Sequence, residues 1–177
     1  ITDFMRSSPI KKKATICTPL LPVPMAKQYF LTSLHYPENF RWGVDNIWTH
    51  AKPEELLPGI HHLLETMPPH PSFIHFEYWA GRGRKRKDMA YSVEDDFFMS
   101  ALAAWDDPKD DERYTKAVTE GMRLLEPYAT GTQLADENLN HRTSKFLSEE
   151  NLLKVDKIRN TWDADGLFHE WHSRPIN

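Results

Sequence analysis

Two runs of apolar residues constrain the possible folds more than any other part of the sequence. The first is FIHFEYW at positions 73–79, and the second is FFMSALAAW at positions 97–105. Each has the length and the aromatic or aliphatic content of a β-strand, and their closeness in the chain predicts an antiparallel pair. Aromatic side chains fall on both faces of the first run, which predicts a strand covered on both sides.

The segments around this pair predict one more strand and two helices. Positions 40–48, FRWGVDNIW, alternate apolar and polar residues as a strand does. A helix is predicted from Pro53 to Met67, with Pro58 either kinking it or marking its true start. A second helix follows the acidic pair at 106–107. Its buried face is predicted to carry Tyr114, Val118, Gly121 or Met122, and Leu125.

The C-terminal part of the chain predicts a further helix and a turn. Ser148 can cap this helix, and its apolar face would carry Leu152, Val155, Ile158 and Trp162. The dipeptide at 165–166, Asp-Gly, supplies a turn that ends the helix. Leu167 and Phe168 are then expected to return to the core. The order of elements predicts an α+β fold, an antiparallel sheet covered on one face by helices.

The N-terminal part is the least regular. Three prolines between positions 19 and 24 predict an extended arm over residues 1–28, and the Tyr- and Phe-rich run Gln28–Leu34 predicts a strand. The single cysteine, Cys17, excludes an internal disulfide. A net charge of −4 argues against nucleic acid or an anionic membrane as the main partner, and no apolar run approaches the roughly 20 residues that span a bilayer.

Several segments, taken in order, resemble the FAD-linked oxidases of the vanillyl-alcohol-oxidase superfamily, and the berberine-bridge-enzyme-like branch above all. FRWGVDNIW is similar to the strand that follows that family's Tyr-Trp-Lys-Ser motif, and FIHFEYWAGRG to its strand ending in Gly-Gly. AYSVEDDFFMSALAAW resembles its Ala-Phe-x-His-Arg hairpin, which ends in Trp. LLEPYATGTQLADENL stands where its Gly-x-Tyr-x-Asn motif precedes the terminal helix, and Ser144–Arg174 resembles its C-terminal segment.

The resemblance implies a ferredoxin-like substrate domain at residues 29–130 and a C-terminal segment at 131–177. That segment would pack on an FAD-binding domain, which is expected to lie outside this chain. The implied activity is transfer of hydride from a small-molecule alcohol, amine or sugar to FAD, while a base takes a proton. The alternative is a stand-alone ligand-binding or non-redox, cyclase-like module that has lost FAD.

Two departures from the family pattern affect the site. Ala164 stands where the terminal turn has proline, and the motif tyrosine, often the base, is missing because Thr132, Gln133 and Leu134 occupy its neighbourhood. The motif asparagine is replaced near Ala135. The resemblance therefore implies a cofactor-facing segment built from Gln133, Ala135 and Asn138. The amides can bind the pyrimidine edge of a flavin, although capping of a loop explains them equally well.

The candidate catalytic residues lie on the two apolar strands. Glu77 and His75 share one face of the first strand, whereas Tyr78 points to the other, so the first two predict an acid–base pair with Glu77 as the base. A polar pair near a sheet edge is the alternative. Ser100 interrupts the second strand as a substrate-facing or a small core residue. The histidine groups His61-His62 with His70, and His169 with His172, match no established metal-ligand spacing, so no metal is predicted.

Overall fold

The computed structural model describes residues 7–14, 22–79 and 89–168. The chain forms two compact units, Ile1–Glu38 and Asn39–Asn177. In the first unit, a 3-10 turn spans Pro9–Lys12 and helix α1 spans Met25–Ser33. The strand predicted at Gln28–Leu34 is therefore wrong. Good helix formers, Met, Ala, Lys and Gln, follow Pro24 directly, and proline costs nothing where a helix begins.

The described residues of the second unit form a four-stranded sheet and three α-helices. The elements are β1 (Arg41–Thr49), α2 (Pro53–Thr66), β2 (Phe73–Tyr78), β3 (Phe97–Trp105), α3 (Asp111–Leu125), β4 (Ala129–Gly131) and α4 (Glu149–Trp162). The strand order is β2-β3-β1-β4, and every neighbouring pair is antiparallel. This is the ferredoxin-like βαββαβ arrangement, so the predicted α+β fold is confirmed. The three-residue β4 was not predicted.

Helices α2 and α3 cover one face of the sheet and form the main core with it. Helix α2 begins at Pro53 and continues through Pro58, and the predicted buried face of α3 is confirmed. The buried core residues are Ile47, Leu56, Leu63, Met99, Ala101, Ala103, Trp105, Val118, Met122 and Leu125. Burying a large aliphatic side chain of this kind contributes about 1.5–3 kcal/mol, so this layer is the main source of stability.

Two glycines allow α2 and α3 to approach closely. A Cβ built on Gly121 of α3 would lie 2.4 Å from Leu63 of α2, and one built on Gly59 of α2 would lie 2.5 Å from Leu125 of α3. Each helix therefore receives a leucine of its partner where it has no side chain. Both leucines are fully buried, so neither has free space into which it can move.

We expect Gly121→Ala to lower the free energy of unfolding by about 1–3 kcal/mol through overpacking against Leu63. Alanine is the better helix former, so a loss of stability would identify packing as the dominant effect. Urea denaturation measures the change. Glu120→Ala, at an exposed position of the same helix, is the control. A Gly121→Ala variant as stable as the parent would contradict the prediction.

The edge position of β2 corrects one prediction. Strand β2 was predicted to be covered on both sides, but among the described strands it pairs only with β3. Its side chains on the helix-facing side extend past the helices, so Phe76 is 48% and Tyr78 69% exposed. Aromatic side chains do occur on both faces of β2, as the sequence shows. It reflects a half-exposed edge strand rather than a buried one.

The predicted C-terminal helix is confirmed, but its end does not return to the core. The Ser148 hydroxyl caps α4 by accepting from the Asn151 N–H at 3.3 Å, and Gly166 has the positive φ of 64° expected of the turn. Leu167 and Phe168 are 84% and 71% exposed, so the predicted return of these residues to the core is wrong. Their backbone N–H groups bind Asp163 instead, which holds them at the end of the helix. None of the described helices is long and apolar enough to cross a bilayer.

Candidate functional site

A row of polar residues crosses the sheet on the face opposite α2 and α3. His75 of β2 is paired with Ser100 of β3, and Ser100 is paired with Asn46 of β1. Side chains directly opposite one another on antiparallel strands point to the same face. The core residues Ile47 and Met99 neighbour this row in sequence and point to the helices, which places the row on the other face.

His75 and Glu77 lie two residues apart on β2 and contact each other on this face. The His75 Nε2 atom lies 3.1 Å from Glu77 Oε1, and the two side chains are 39% and 40% exposed. The other carboxylate oxygen, Oε2, accepts a hydrogen bond from the Trp79 indole at 2.6 Å. Both oxygens of Glu77 are therefore engaged, and the imidazole is oriented by a carboxylate while it remains accessible. This arrangement suits a base that is held in place by a second group.

An aromatic cluster borders the pair. Trp48 is almost fully buried and lies against Phe98 at 5.1 Å and Trp79 at 6.1 Å between ring centroids. Its indole N–H donates to the Tyr91 hydroxyl. Phe98 also meets the His75 ring edge-on at 6.4 Å. The polar pair thus sits beside a wall of aromatic rings, which is the usual composition of a site for a small organic ligand.

Asn46 fastens the loop that follows β4 to this face. Its Nδ2 donates to the carbonyls of Gln133 at 2.9 Å and Asp136 at 2.7 Å. Its Oδ1 accepts from the Gln133 N–H at 2.7 Å and from the Thr132 hydroxyl at 2.9 Å. All the hydrogen-bonding capacity of the buried amide is used. The loop over 132–136 is consequently fixed against the sheet.

The carboxyl of Asp136 is perturbed by its position in this loop. Partial burial and the charge of Glu137 raise the pKa of Asp136, whereas the charge of His75 acts in the opposite direction. The residue as a whole stays exposed to solvent, so water screens these effects in part.

A buried ion pair on the helix side anchors the following residues. The Arg142 guanidinium binds Asp45 through Nε at 2.7 Å and a terminal nitrogen at 2.5 Å, and it also binds Glu126. Burial lowers the pKa of Arg142, but the hydrogen bonds and charges of Asp45 and Glu126 outweigh this and raise the pKa above its ordinary value. Arg142 therefore stays charged, and it ties the chain after β4 to the centre of β1.

One other feature, a groove, lies apart from this face. A groove of about 450 Å³ runs along α3 between residues 111 and 123, with His141 on its rim. It is lined by charges of both signs and holds none of the predicted site residues. Within the described residues no group of three or more potential ligands is placed to hold a metal ion. His169 and His172 lie outside the described residues.

Comparison with known proteins gives the chain its relatives, although no protein-family model matches it. FAD-linked oxidoreductase nodO of Hypoxylon pulicicidum is 29% identical over 144 residues, which cover 74% of this chain and 32% of that protein. FAD-linked oxidoreductase ptmO of Penicillium ochrochloron is 23% identical, covering 81% of this chain and 32% of its own length. The chain is related to FAD-linked oxidoreductases. A third relative, FAD-linked oxidoreductase penO of Penicillium crustosum, is 25% identical over 72% of this chain.

The 177-residue chain spans about a third of the length of the curated proteins that it matches. The Trp48 and Phe98 rings of the aromatic cluster are buried, so they leave little open surface on which a flavin ring could lie. The described glycines lie within strands or helices or, for Gly166, after a helix end. None forms the turn into a helix N-terminus that holds a pyrophosphate.

The predicted cofactor-facing residues do not all face the same side of the sheet. Gln133 contacts Asn46 through its backbone, and Ala135 is exposed. Asn138 faces the helix side, where its Nδ2 donates to Thr119 at 3.0 Å and approaches Asp45 at 3.5 Å. These bonds hold Asn138 against α3 and β1. A role at the edge of a flavin stays a prediction for all three predicted residues.

Proposed function

We propose that this chain is the substrate-facing part of an FAD-dependent oxidoreductase that acts on a small-molecule alcohol, amine or sugar. The observation that carries the proposal is the accessible His75–Glu77 pair beside the aromatic cluster, on the sheet face opposite the helices. The names of the relatives support redox chemistry with FAD. The FAD-binding domain would lie outside the chain.

In this proposal His75 receives the proton of the substrate hydroxyl or amine. One oxygen of Glu77 accepts a hydrogen bond from the Trp79 indole and the other lies 3.1 Å from His75 Nε2, so in this proposal the carboxylate serves the imidazole instead of binding the substrate directly. The Nε2 atom of His75 faces Glu77, and the other ring nitrogen would take the substrate proton. The aromatic cluster excludes water and orients the substrate against the pair. FAD, when bound, supplies the acceptor for the substrate hydride.

A second candidate is the stand-alone ligand-binding or non-redox module. The lack of a phosphate-binding turn among the described glycines is compatible with both candidates, because the first places the FAD-binding domain outside the chain. In that case the same face would bind a small molecule without any flavin. The two candidates agree on where the ligand binds and differ in the cofactor.

Flavin content separates the two candidates. We expect a longer protein that contains this chain to purify with bound flavin and to be yellow, while FAD leaves the melting temperature of the 177-residue chain unchanged. Absorbance spectra and thermal unfolding with and without FAD measure both outcomes. A colourless longer protein that takes up no added FAD would contradict the oxidoreductase proposal and favour the ligand-binding module.

A further inference from the structure

His50 and Asp95 form a second histidine–carboxylate pair, which the proposed function does not use. The Nδ1 atom of His50 lies 2.5 Å from Asp95 Oδ2. The Asp95 side chain is only 7% exposed, whereas that of His50 is 43% exposed. A buried carboxylate thus contacts one nitrogen of a ring that is itself open to solvent.

Hydrogen bonds to the neighbouring backbone hold both partners in place. The other carboxylate oxygen of Asp95, Oδ1, accepts from the Asp96 N–H at 2.8 Å. The Thr49 hydroxyl accepts from the Ala51 N–H at 3.0 Å and so bridges the backbone over His50. The two side chains are therefore positioned before any ligand binds.

The pair lies at the end of β1, beside the aromatic cluster. His50 follows Trp48 by two residues, and Asp95 belongs to the segment whose Val93 packs in the same cluster as Trp48. The ring of Trp79 contacts Trp48, and this residue is 50% exposed. An apolar surface is therefore available near the histidine for the body of a small organic ligand.

The second ring nitrogen of His50, Nε2, has no hydrogen bond or ion pair within residues 7–14, 22–79 and 89–168. An unprotonated imidazole nitrogen accepts a hydrogen bond, so it recognises a donor such as a hydroxyl group. An ionised carboxylate only accepts, so a carboxylate at Nδ1 keeps the proton of a neutral ring on that atom. It also stabilises the positive charge that forms when Nε2 takes up a proton.

We propose that His50 and Asp95 form a second acid–base site, in which Nε2 of His50 binds the hydroxyl group of a small neutral alcohol or phenol. Asp95 is the positioning residue, because it leaves Nε2 as the base. When the proton of the bound hydroxyl moves to Nε2, the electron pair of the O–H bond stays on the oxygen, and the Asp95 carboxylate stabilises the imidazolium. The site requires neither His75 nor FAD, so it goes beyond the proposed oxidoreductase.

The tautomer of His50 tests the role of Asp95, and nitrogen-15 NMR of the full 177-residue chain measures it. At alkaline pH, where histidine rings are neutral, the wild-type ring should carry its proton on Nδ1. In Asp95→Asn the amide can donate to Nδ1, so the proton should move to Nε2. Glu77→Gln is the control, because Glu77 contacts His75 and its replacement should leave the His50 tautomer unchanged.

Two results of this measurement would overturn the positioning role. One is a wild-type ring with its proton on Nε2, which is decisive even if Asp95→Asn does not fold. The other is an unchanged tautomer in a folded Asp95→Asn chain.

Phenol and anisole test whether the site binds a hydroxyl group. The two compounds share an aromatic ring, but only phenol has an O–H to donate. Phenol should therefore shift the Nε2 signal of His50 with saturation, anisole should not, and Asp95→Asn should lose the shift. His61, an exposed residue of α2, is the internal control. Equal shifts from both compounds, no shift from phenol, or an equal response of His61 would overturn the proposal.

Discussion

Replacing Asp45 by alanine is expected to lower the free energy of unfolding by about 3–5 kcal/mol, because it leaves the buried Arg142 charge with only part of its compensation. Both side chains are almost completely buried, and Asp45 supplies both oxygens of the bidentate contact. The remaining partner, Glu126, is partly exposed to water. Urea denaturation followed by tryptophan fluorescence measures the loss.

An exposed pair of the same chemistry is the matched control. Arg41 binds Asp111 with a similar two-pronged geometry, at 2.5 and 2.6 Å, but these side chains are 48% and 40% exposed. Water screens such a pair, so Arg41→Ala should change stability far less than Asp45→Ala. Equal losses for the two variants would show that burial does not determine the contribution of the Asp45–Arg142 pair.

His75→Gln is expected to reduce kcat/KM of the flavin-loaded longer protein by about 10²–10⁴-fold, the usual contribution of a general base. Glutamine keeps a polar side chain on the strand but cannot take up the substrate proton. Steady-state oxidation of a substrate, with flavin content measured for each variant, gives the comparison. The loss should appear in kcat more than in KM, because proton removal belongs to the chemical step.

His61→Gln provides the control for this variant. His61 is an exposed residue of α2 on the other side of the sheet, so its replacement should leave activity unchanged. A His75→Gln enzyme with full activity and normal flavin content would remove His75 from the mechanism. The kcat/KM of Glu77→Gln should fall between those of His75→Gln and His61→Gln, since this variant disturbs the orientation of the base and keeps the base itself.

The sequence predicted most of the second unit because its elements carry strong local patterns. Strands β1, β2 and β3 have period-two alternation or continuous apolar content, and α3 keeps its apolar residues three or four positions apart. Helix α1 was missed because Tyr and Phe favour strands, whereas the local context after Pro24 favours a helix. Strand β4 has only three residues, which is too short for any pattern to emerge.

The candidate site was predicted only where it depends on strand geometry. His75, Glu77 and Ser100 were placed on their strands, and the register of β2 with β3 brings them to one face. Asn46 and Arg142 were missed because the contacts that join β1 to the chain after β4 span 86 to 97 positions. The one local signal for Asn46 was an amide in the middle of a strand, next to apolar neighbours on both faces.

Asp45 and Asn46 are consecutive residues that anchor the returning chain from opposite faces of β1. The first binds Arg142 on the helix side, and the second binds the 132–136 loop on the other side. A slip of β1 by one residue would exchange these faces and break both anchors together. The polypeptide after β4 thus stabilises one register of the central strand. A chain shortened before Arg142 would be expected to form the sheet in several registers instead of one.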